Sequence, residues 1–361
     1  STGLNYAYGI ALDSQNNHVY FSELDGQKIY RSNLDGSNKI TLFSSLGRPL
    51  NLALDVPNNH IYWSDENTAK IERGNLDGTG RTDVVTGLGM PIGLAIHFPQ
   101  IVPLTDANFE SAVNLWFNNQ TEANATYGHI SDWNVSGVTD MNGTFYGRTN
   151  FNEDIGNWDV SNVTNMNDMF RNASSFNQNI EDWNTSSVTT MHAMFKEASS
   201  FNQPVANWDV SAVKWLGSMF SNASLFNQPI EDWNVSNVES MHSVFHLATS
   251  FNQPIADWNT SSVTDMRWMF LEATAFDKPI GNWNTSLVSE MINMFKGATS
   301  FDQDLSDWNV SSVIDFNGSF YNTPALSNAN KGKIHQSFSF NSNWPYDWRE
   351  FVALDDSNFQ S

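Results

Sequence analysis

Large apolar residues recur through most of the chain at a fixed spacing of 25 positions. Tryptophan fills one column, Trp133 to Trp308, while valine and phenylalanine fill two others, Val138 to Val313 and Phe145 to Phe320. A strict period of this length is typical of stacked units that bury their apolar faces only against neighbouring units. The pattern therefore predicts a solenoid of eight 25-residue coils.

Within one coil, the apolar positions predict a short helix followed by an extended segment. Residues 163–173 carry apolar side chains at helical spacing, with Ser161 or Asn162 as the expected cap, and Phe176–Ile180 reads as a short strand. Strands stack more closely than helices, so the solenoid is expected to curve with its strands on the concave side. A proline column predicts strands that are short or begin after it: Pro204, Pro229, Pro254 and Pro279.

A different repeat opens the chain. Residues 9–49 recur as residues 51–91 at an offset of 42, and each unit alternates β-rich runs with turn signals such as Leu34–Gly36. This alternation predicts about four short strands per unit. The apolar run Ile92–Ile96 predicts the opening strand of a third unit.

Two segments of this opening repeat carry a family resemblance. Tyr62–Asp65 reads Tyr-Trp-Ser-Asp, Tyr20–Glu23 is its counterpart, and an Asn-Leu-Asp-Gly turn follows each of them. The pattern resembles the YWTD repeat of LDL-receptor-type β-propellers. The resemblance implies about two and a half blades of a ring that this family closes with six, so either blades precede Ser1 or something else covers the exposed strand edges.

The longer array has a resemblance of its own. Its pattern Trp-Asn/Asp-Val-Ser-x-Val-Thr-x-Met-x-x-Met-Phe is similar to the 25-residue repeat of BspA-like bacterial surface proteins and mycoplasma-type lipoproteins, which are relatives of leucine-rich repeats. The resemblance implies an α/β solenoid at the cell surface, often linked to adhesion. It does not imply a particular ligand.

These patterns predict a mixed fold in three parts. A partial YWTD-like β-propeller occupies residues 1–100, a capped, curved, leucine-rich-repeat-like α/β solenoid occupies residues 101–350, and residues 351–361 form a linker and the start of a further repeat module.

The ends of the solenoid are expected to carry caps. Leu104–Ser111 opens it, and residues 322–350 close it. Leu354–Ser361 resembles the opening cap at an offset of 250, which is ten times the repeat. We therefore expect the chain to be a segment of a longer modular protein.

Composition narrows the classes of function. The 39 acidic and 17 basic residues give a net charge of −22, which disfavours nucleic-acid binding. This charge suits a saline or calcium-rich medium, although an acidic soluble protein of any origin fits equally well and no motif specific for calcium is present. The absence of cysteine excludes disulfides and thiolate chemistry and favours a bacterial-style secreted surface protein. No run of 18 apolar residues predicts a transmembrane segment.

Two polar columns are candidates for structural or ligand-binding roles. The residues just before each repeat tryptophan are expected to cap turns through their side chains: Asp132, Asn157, Asp182, Asn207, Asp232, Asp257, Asn282 and Asp307. A second column is expected to form a ladder that satisfies backbone groups between coils, with a ligand-reading stripe as the alternative: Asn152, Asn177, Asn202, Asn227, Asn252, Asp277 and Asp302.

The histidines and carboxylates indicate no active site. His192 and His242 share a repeat position two coils apart, which predicts a separation of about 10 Å, too far for one metal ion, on a helix surface. No acidic pair departs from the repeat columns in a way that marks glycoside hydrolysis. We expect no catalytic, cofactor-binding or metal-binding residues and no enzymatic activity, with a solenoid enzyme as the alternative.

Asparagine sequons are frequent, with 13 of them after residue 118. They are potential N-glycosylation sites if the protein passes through a eukaryotic secretory pathway: Asn119, Asn124, Asn134, Asn142, Asn162, Asn172, Asn184, Asn222, Asn234, Asn259, Asn284, Asn309 and Asn317. Six of these asparagines share one repeat column with Asp159 and Asp209. The structural repeat therefore explains the presence of these sequons as well as glycosylation does.

The sequence thus favours a non-enzymatic, extracellular structural or adhesive module of a larger cell-surface fibre, stalk or filament. Its expected partners are further copies of itself, a surface partner or glycans. The alternative is a recognition receptor that binds a glycan or protein on the propeller or on the concave solenoid face. Trp215, Arg267 and Trp268 are the departures from the repeat that best fit such a site.

Overall fold

The structure is a computed structural model that describes residues 6–14, 16–56, 58–96 and 102–352. The chain divides into two compact units, Ser1–Pro99 and Gln100–Ser361. The predicted further repeat at Leu354–Ser361 lies outside the described residues.

The described part of the first unit contains two four-stranded antiparallel sheets, each with its strands in chain order. The first sheet is formed by β1 (Ala7–Asp13), β2 (His18–Glu23), β3 (Lys28–Asn33) and β4 (Ile40–Phe43). The second is formed by β5 (Pro49–Asp55), β6 (His60–Asp65), β7 (Lys70–Asn75) and β8 (Thr82–Val85). The turn after β3 is closed by Asp35, whose Oδ1 accepts hydrogen bonds from the Ser37 N–H and hydroxyl. Gly36 supplies the left-handed φ of +82° that this turn requires.

The two sheets pack together through aromatic side chains. The ring centres of Phe43 and Trp63 lie 4.9 Å apart, and both side chains are buried. Gly74 permits this approach, because a Cβ at that position would lie only 2.2 Å from Phe43 Cζ. The Trp63 indole N–H donates to the buried Glu72 carboxylate, which also pairs with Arg81 at 2.8 Å.

The predicted partial β-propeller is wrong. The described part of the first unit has two small sheets and no closed barrel or propeller. The expected third opening strand does not form either, because residues 91–96 have no strand pairing and Ile92 is exposed. A blade-like sequence repeat determines each sheet locally, but a ring also requires a sheet on both sides of every blade.

The second unit has helices at its two ends. They are α1 (Phe109–Asn118), α2 (Gln120–Tyr127) and α3 (Asn328–Phe338), with 3₁₀ turns at Ile130–Asp132 and Arg349–Phe351. Asn119 caps α2 by accepting a hydrogen bond from the Glu122 N–H. Between α2 and α3, the chain runs in 25-residue coils that contain turns and isolated parallel β-bridges.

The predicted α/β character of the coils is therefore wrong. In the segment predicted as a helix, the N–H groups of Asp168 and Phe170 donate to carbonyls of the next coil, at 2.8 Å each. Asp168 and Asn172 also adopt left-handed φ values of +52° and +56°, which an α-helix excludes. The predicted strand Phe176–Ile180 does not form, and the bridges lie elsewhere in the coil.

Aromatic ladders form the core of the second unit. Phe220 stacks on Phe195 and Phe245 of the adjacent coils, with ring centres 5.8 and 6.0 Å away. The Trp208 ring stacks on Trp183 at 6.3 Å, and its indole N–H donates to the Ile180 carbonyl at 3.0 Å. The period of 25 thus places each tryptophan where its ring is buried and its one polar group has a partner.

A ladder of asparagine side chains runs beside this core and confirms the predicted role of the column. Asn202 Oδ1 accepts a hydrogen bond from the Asn227 N–H at 2.9 Å and another from the Gln228 side chain at 3.0 Å. Aspartate serves equally, since Asp277 Oδ1 accepts from the Asp302 N–H at 3.0 Å. The column is a structural device that links consecutive coils.

The prediction for the column before each tryptophan is wrong. The turn at this column is closed by the backbone, as where the Trp208 N–H donates to the Val205 carbonyl at 3.2 Å. The residue after the tryptophan closes the following turn. Asp209 Oδ1, for example, accepts from the Ser211 N–H at 2.9 Å, and Asn184 Oδ1 accepts in the same way from Ser186.

Candidate functional site

One surface of the coils, which we call the bridge face, presents the side chains that depart most from the repeat. It consists of the residues joined by consecutive parallel β-bridges and the residue two positions after each. The bridged residues are Asp140, Asn165, Thr190, Trp215, Ser240, Asp265, Glu290 and Asp315. The residue between each pair is a buried Met, Leu or Phe, so the two columns flank the core and face outward.

Trp215 is the largest departure on the bridge face. Its side chain is 49% exposed, so it does not fill the core, in contrast to the repeat tryptophans. It lies in an open cavity of about 310 Å³. The cavity is lined by Asn167, Thr190, His192, Trp215, Gly217, Ser240 and His242.

The structure corrects the expected distance between two histidines of this cavity. The ring centres of His192 and His242 lie 5.5 Å apart, although the residues are two coils apart and were expected at about 10 Å. Gly217 occupies the equivalent position in the coil between them and has no side chain to hold the rings apart. A Cβ on Gly217 would lie 2.3 Å from His242 Cε1.

Burial keeps both imidazoles in their neutral form. It is the largest cause that lowers the pKa of His192, where Lys196 and Arg171 act in the same direction and Asp168 opposes them. Burial likewise lowers the pKa of His242, with Asp265 opposing the shift. His242 Nδ1 also lies 3.1 Å from the Ser240 hydroxyl. At neutral pH the cavity therefore presents uncharged nitrogen and hydroxyl groups.

The other two departures lie beside this cavity but do not line it. Arg267 forms a 2.7 Å ion pair with Asp265, and its guanidinium lies 5.7 Å from the Trp268 ring centre. Trp268 is 36% exposed and has a left-handed φ of +55°. The structure thus brings Trp215 together with the two histidines, and sequence reasoning missed this grouping because the glycine between them was not considered.

All thirteen sequon asparagines are exposed in the structure. In the shared repeat column, the asparagine oxygen also closes a turn, as in Asn134, whose Oδ1 accepts from the Ser136 N–H at 3.1 Å. Their N-glycosylation stays a prediction.

The described ranges contain neither a cluster of metal-ligating side chains nor a membrane-spanning helix. Residues 6–14, 16–56, 58–96 and 102–352 contain no group of three or more His, Cys, Asp or Glu side chains arranged to hold a metal ion. In the same part of the chain, no helix has the length and apolar character needed to cross a membrane.

The fold and the bridge face define a repeat protein built of stacked 25-residue coils. The family profile described as "Mycoplasma protein of unknown function, DUF285" matches residues 111–233 and 216–333, which together make up more than half of the chain. The chain belongs to this family, and the predicted mycoplasma-type repeat is thereby confirmed.

No curated protein matches the chain. Among solved structures, a chain from "Crystal structure of Nidogen/Laminin Complex" is 29% identical, and the match covers 25% of this chain and 35% of that chain with a TM-score of 0.24. That TM-score is too low to indicate a shared fold.

Proposed function

We propose that this chain is a non-enzymatic adhesive module of an extracellular, cell-surface protein, and that its bridge face binds a neutral glycan at Trp215. The observation that carries the proposal is a half-exposed tryptophan in a column otherwise made of polar residues. The mycoplasma-type repeat supports a surface role.

The groups around Trp215 suit a sugar. An exposed indole offers an apolar face for stacking, and Thr190, Ser240 and Asn167 place hydroxyl and amide groups beside it. A sugar ring likewise combines an apolar face with hydroxyl groups at its edge. The seven lining residues include no carboxylate, lysine or arginine, which favours an uncharged ligand over a charged peptide.

A glycan array probed with the labelled full chain tests this proposal. We expect binding to a limited set of neutral glycans, and Trp215→Ala is expected to weaken it by at least about tenfold. Leu225→Ala is the matched control, because Leu225 is 55% exposed but lies outside the bridge face. The proposal fails if no glycan binds, or if Trp215→Ala binds as well as Leu225→Ala.

A second candidate function, as a structural module that joins to other copies of this chain, rests on the first unit. The two sheets repeat at an offset of 42, yet equivalent residues differ in exposure. Leu52 of β5 is 5% exposed, whereas its equivalent Ile10 of β1 is 66% exposed. Likewise Phe43 is 5% exposed and its equivalent Val85 is 40% exposed. Each sheet buries one surface against the other sheet. The equivalent surfaces, around Ile10 on the first sheet and Val85 on the second, are left exposed.

A second copy provides the complementary surface for each half. The second sheet of one copy would cover the first sheet of the next, with β8 against β2 as β4 lies against β6 within the chain, which makes a head-to-tail contact. At the new contact, Ser32 would take the place of Gly74 and Val85 the place of Phe43. The serine is larger than the glycine it replaces, and the valine is smaller than the phenylalanine. Asn51 takes the place of Gly9, so the copies would sit further apart at that point.

Sedimentation velocity of the full chain, over a range of concentrations, tests this association. Wild type is expected to form growing oligomers, while Ile10→Asp and Val85→Asp, each with one face blocked, are expected to stay monomeric. An equimolar mixture of the two variants retains one intact pair of faces and is expected to stop at dimers. A monomeric wild type, or a mixture that does not dimerise, contradicts the candidate.

A further inference from the structure

We propose that His192 and His242 together bind one divalent transition-metal ion, such as Zn²⁺, in the space above Gly217. The inference goes beyond glycan binding and concerns the two imidazoles of the same cavity rather than the Trp215 indole. It rests on the distance between the rings, on the glycine between them and on the chemistry of the surrounding groups.

The separation of the rings fits a shared ion. Zinc lies about 2.0–2.1 Å from an imidazole nitrogen, which places it roughly 3 Å from each ring centre and puts two such centres about 5 Å apart at a tetrahedral angle. The observed separation is 5.5 Å. The two rings therefore lie at about the separation that a shared ion would impose.

Gly217 makes the space that the ion needs. The position of a Cβ on Gly217 lies 2.5 Å from His242 Nδ1 and 3.1 Å from His192 Nδ1, so both nitrogens lie close to the same point. The φ of Gly217 lies outside the left-handed region, and its backbone therefore does not require glycine. What the glycine provides is the absence of a side chain between the two rings.

The surroundings supply nitrogen donors and leave room for further ligands. Imidazole favours zinc, copper and nickel over calcium or magnesium. The Ser240 hydroxyl, now 3.1 Å from His242 Nδ1, would exchange that contact for one with the ion or its water. With two protein nitrogens as ligands, the remaining positions on the open side of the cavity are left for water.

Isothermal titration of the metal-free full chain with zinc chloride tests the site. We expect wild type to have one saturable site that is lost, or weakened at least about tenfold, in His192→Gln, His242→Gln and Gly217→Ala. His246→Gln is the matched control, since His246 is also half-buried with a lowered pKa but lies outside the pair. Circular dichroism verifies that each variant is folded.

A second readout follows the imidazole Cε1 protons by NMR in the same titration. Zinc is expected to shift the signals of His192 and His242 together, and that of His246 far less. The proposal is overturned if wild type shows no saturable binding up to millimolar zinc, or if the three variants that alter the pair bind zinc as wild type does. If Gly217→Ala does not fold, the two histidine variants decide the outcome.

Discussion

Replacement of Phe220 by alanine is expected to lower the free energy of unfolding by about 3 to 5 kcal/mol. The ring is fully buried, and it stacks on Phe226 of its own coil at 3.8 Å as well as on the phenylalanines of both neighbouring coils. Its removal leaves a cavity in a ladder that cannot collapse without shifting three coils. Urea denaturation followed by tryptophan fluorescence measures the loss.

Leu225→Ala is the control for this substitution. Leu225 lies five residues further along the same coil and is 55% exposed, so its truncation is expected to change the stability by no more than about 0.5 kcal/mol. A loss for Phe220→Ala as small as that of the control would contradict the aromatic ladder as the core of the unit.

Asn202→Ala is expected to lower the free energy of unfolding by about 1 to 3 kcal/mol, because it leaves the Asn227 N–H between coils without its acceptor. The Gln228 side chain loses one of its two acceptors at the same time. The same urea titration gives the difference from wild type.

Asn202→Asp separates the lost hydrogen bond from the general effect of a substitution. Its carboxylate keeps an acceptor at the same place, as Asp277 and Asp302 do in later coils. We expect this variant to stay within about 1 kcal/mol of wild type. If Asn202→Asp lost as much stability as Asn202→Ala, the hydrogen bonds of the ladder would not be what the column contributes.

The bridge face and the first unit point to different partners, and their tests do not overlap. Trp215→Ala affects glycan binding, the two histidine variants affect zinc binding, and the Ile10→Asp and Val85→Asp pair affects association of chains. Association of chains through the first unit is therefore tested separately from binding at the bridge face.

The sequence alone determined the period of 25 and which columns are buried. The repeat tryptophans, valines and phenylalanines are all in the core. It also predicted the asparagine ladder, because a polar residue at constant spacing beside an apolar column needs partners in adjacent coils. These features follow from the repeat itself, in which each coil meets the same neighbours.

The three-dimensional structure decided the backbone of the coils and the grouping of the candidate site. The apolar spacing near Met166 fits a helix, but the backbone N–H groups of this segment donate to carbonyls of the next coil. The backbone does so by alternating into left-handed φ values, which a helix does not contain. The same stacking brings His192 and His242 together across Gly217. A local pattern contains no information on what lies between two coils, and for this reason only the folded chain shows that the missing side chain of Gly217 lets the two rings approach.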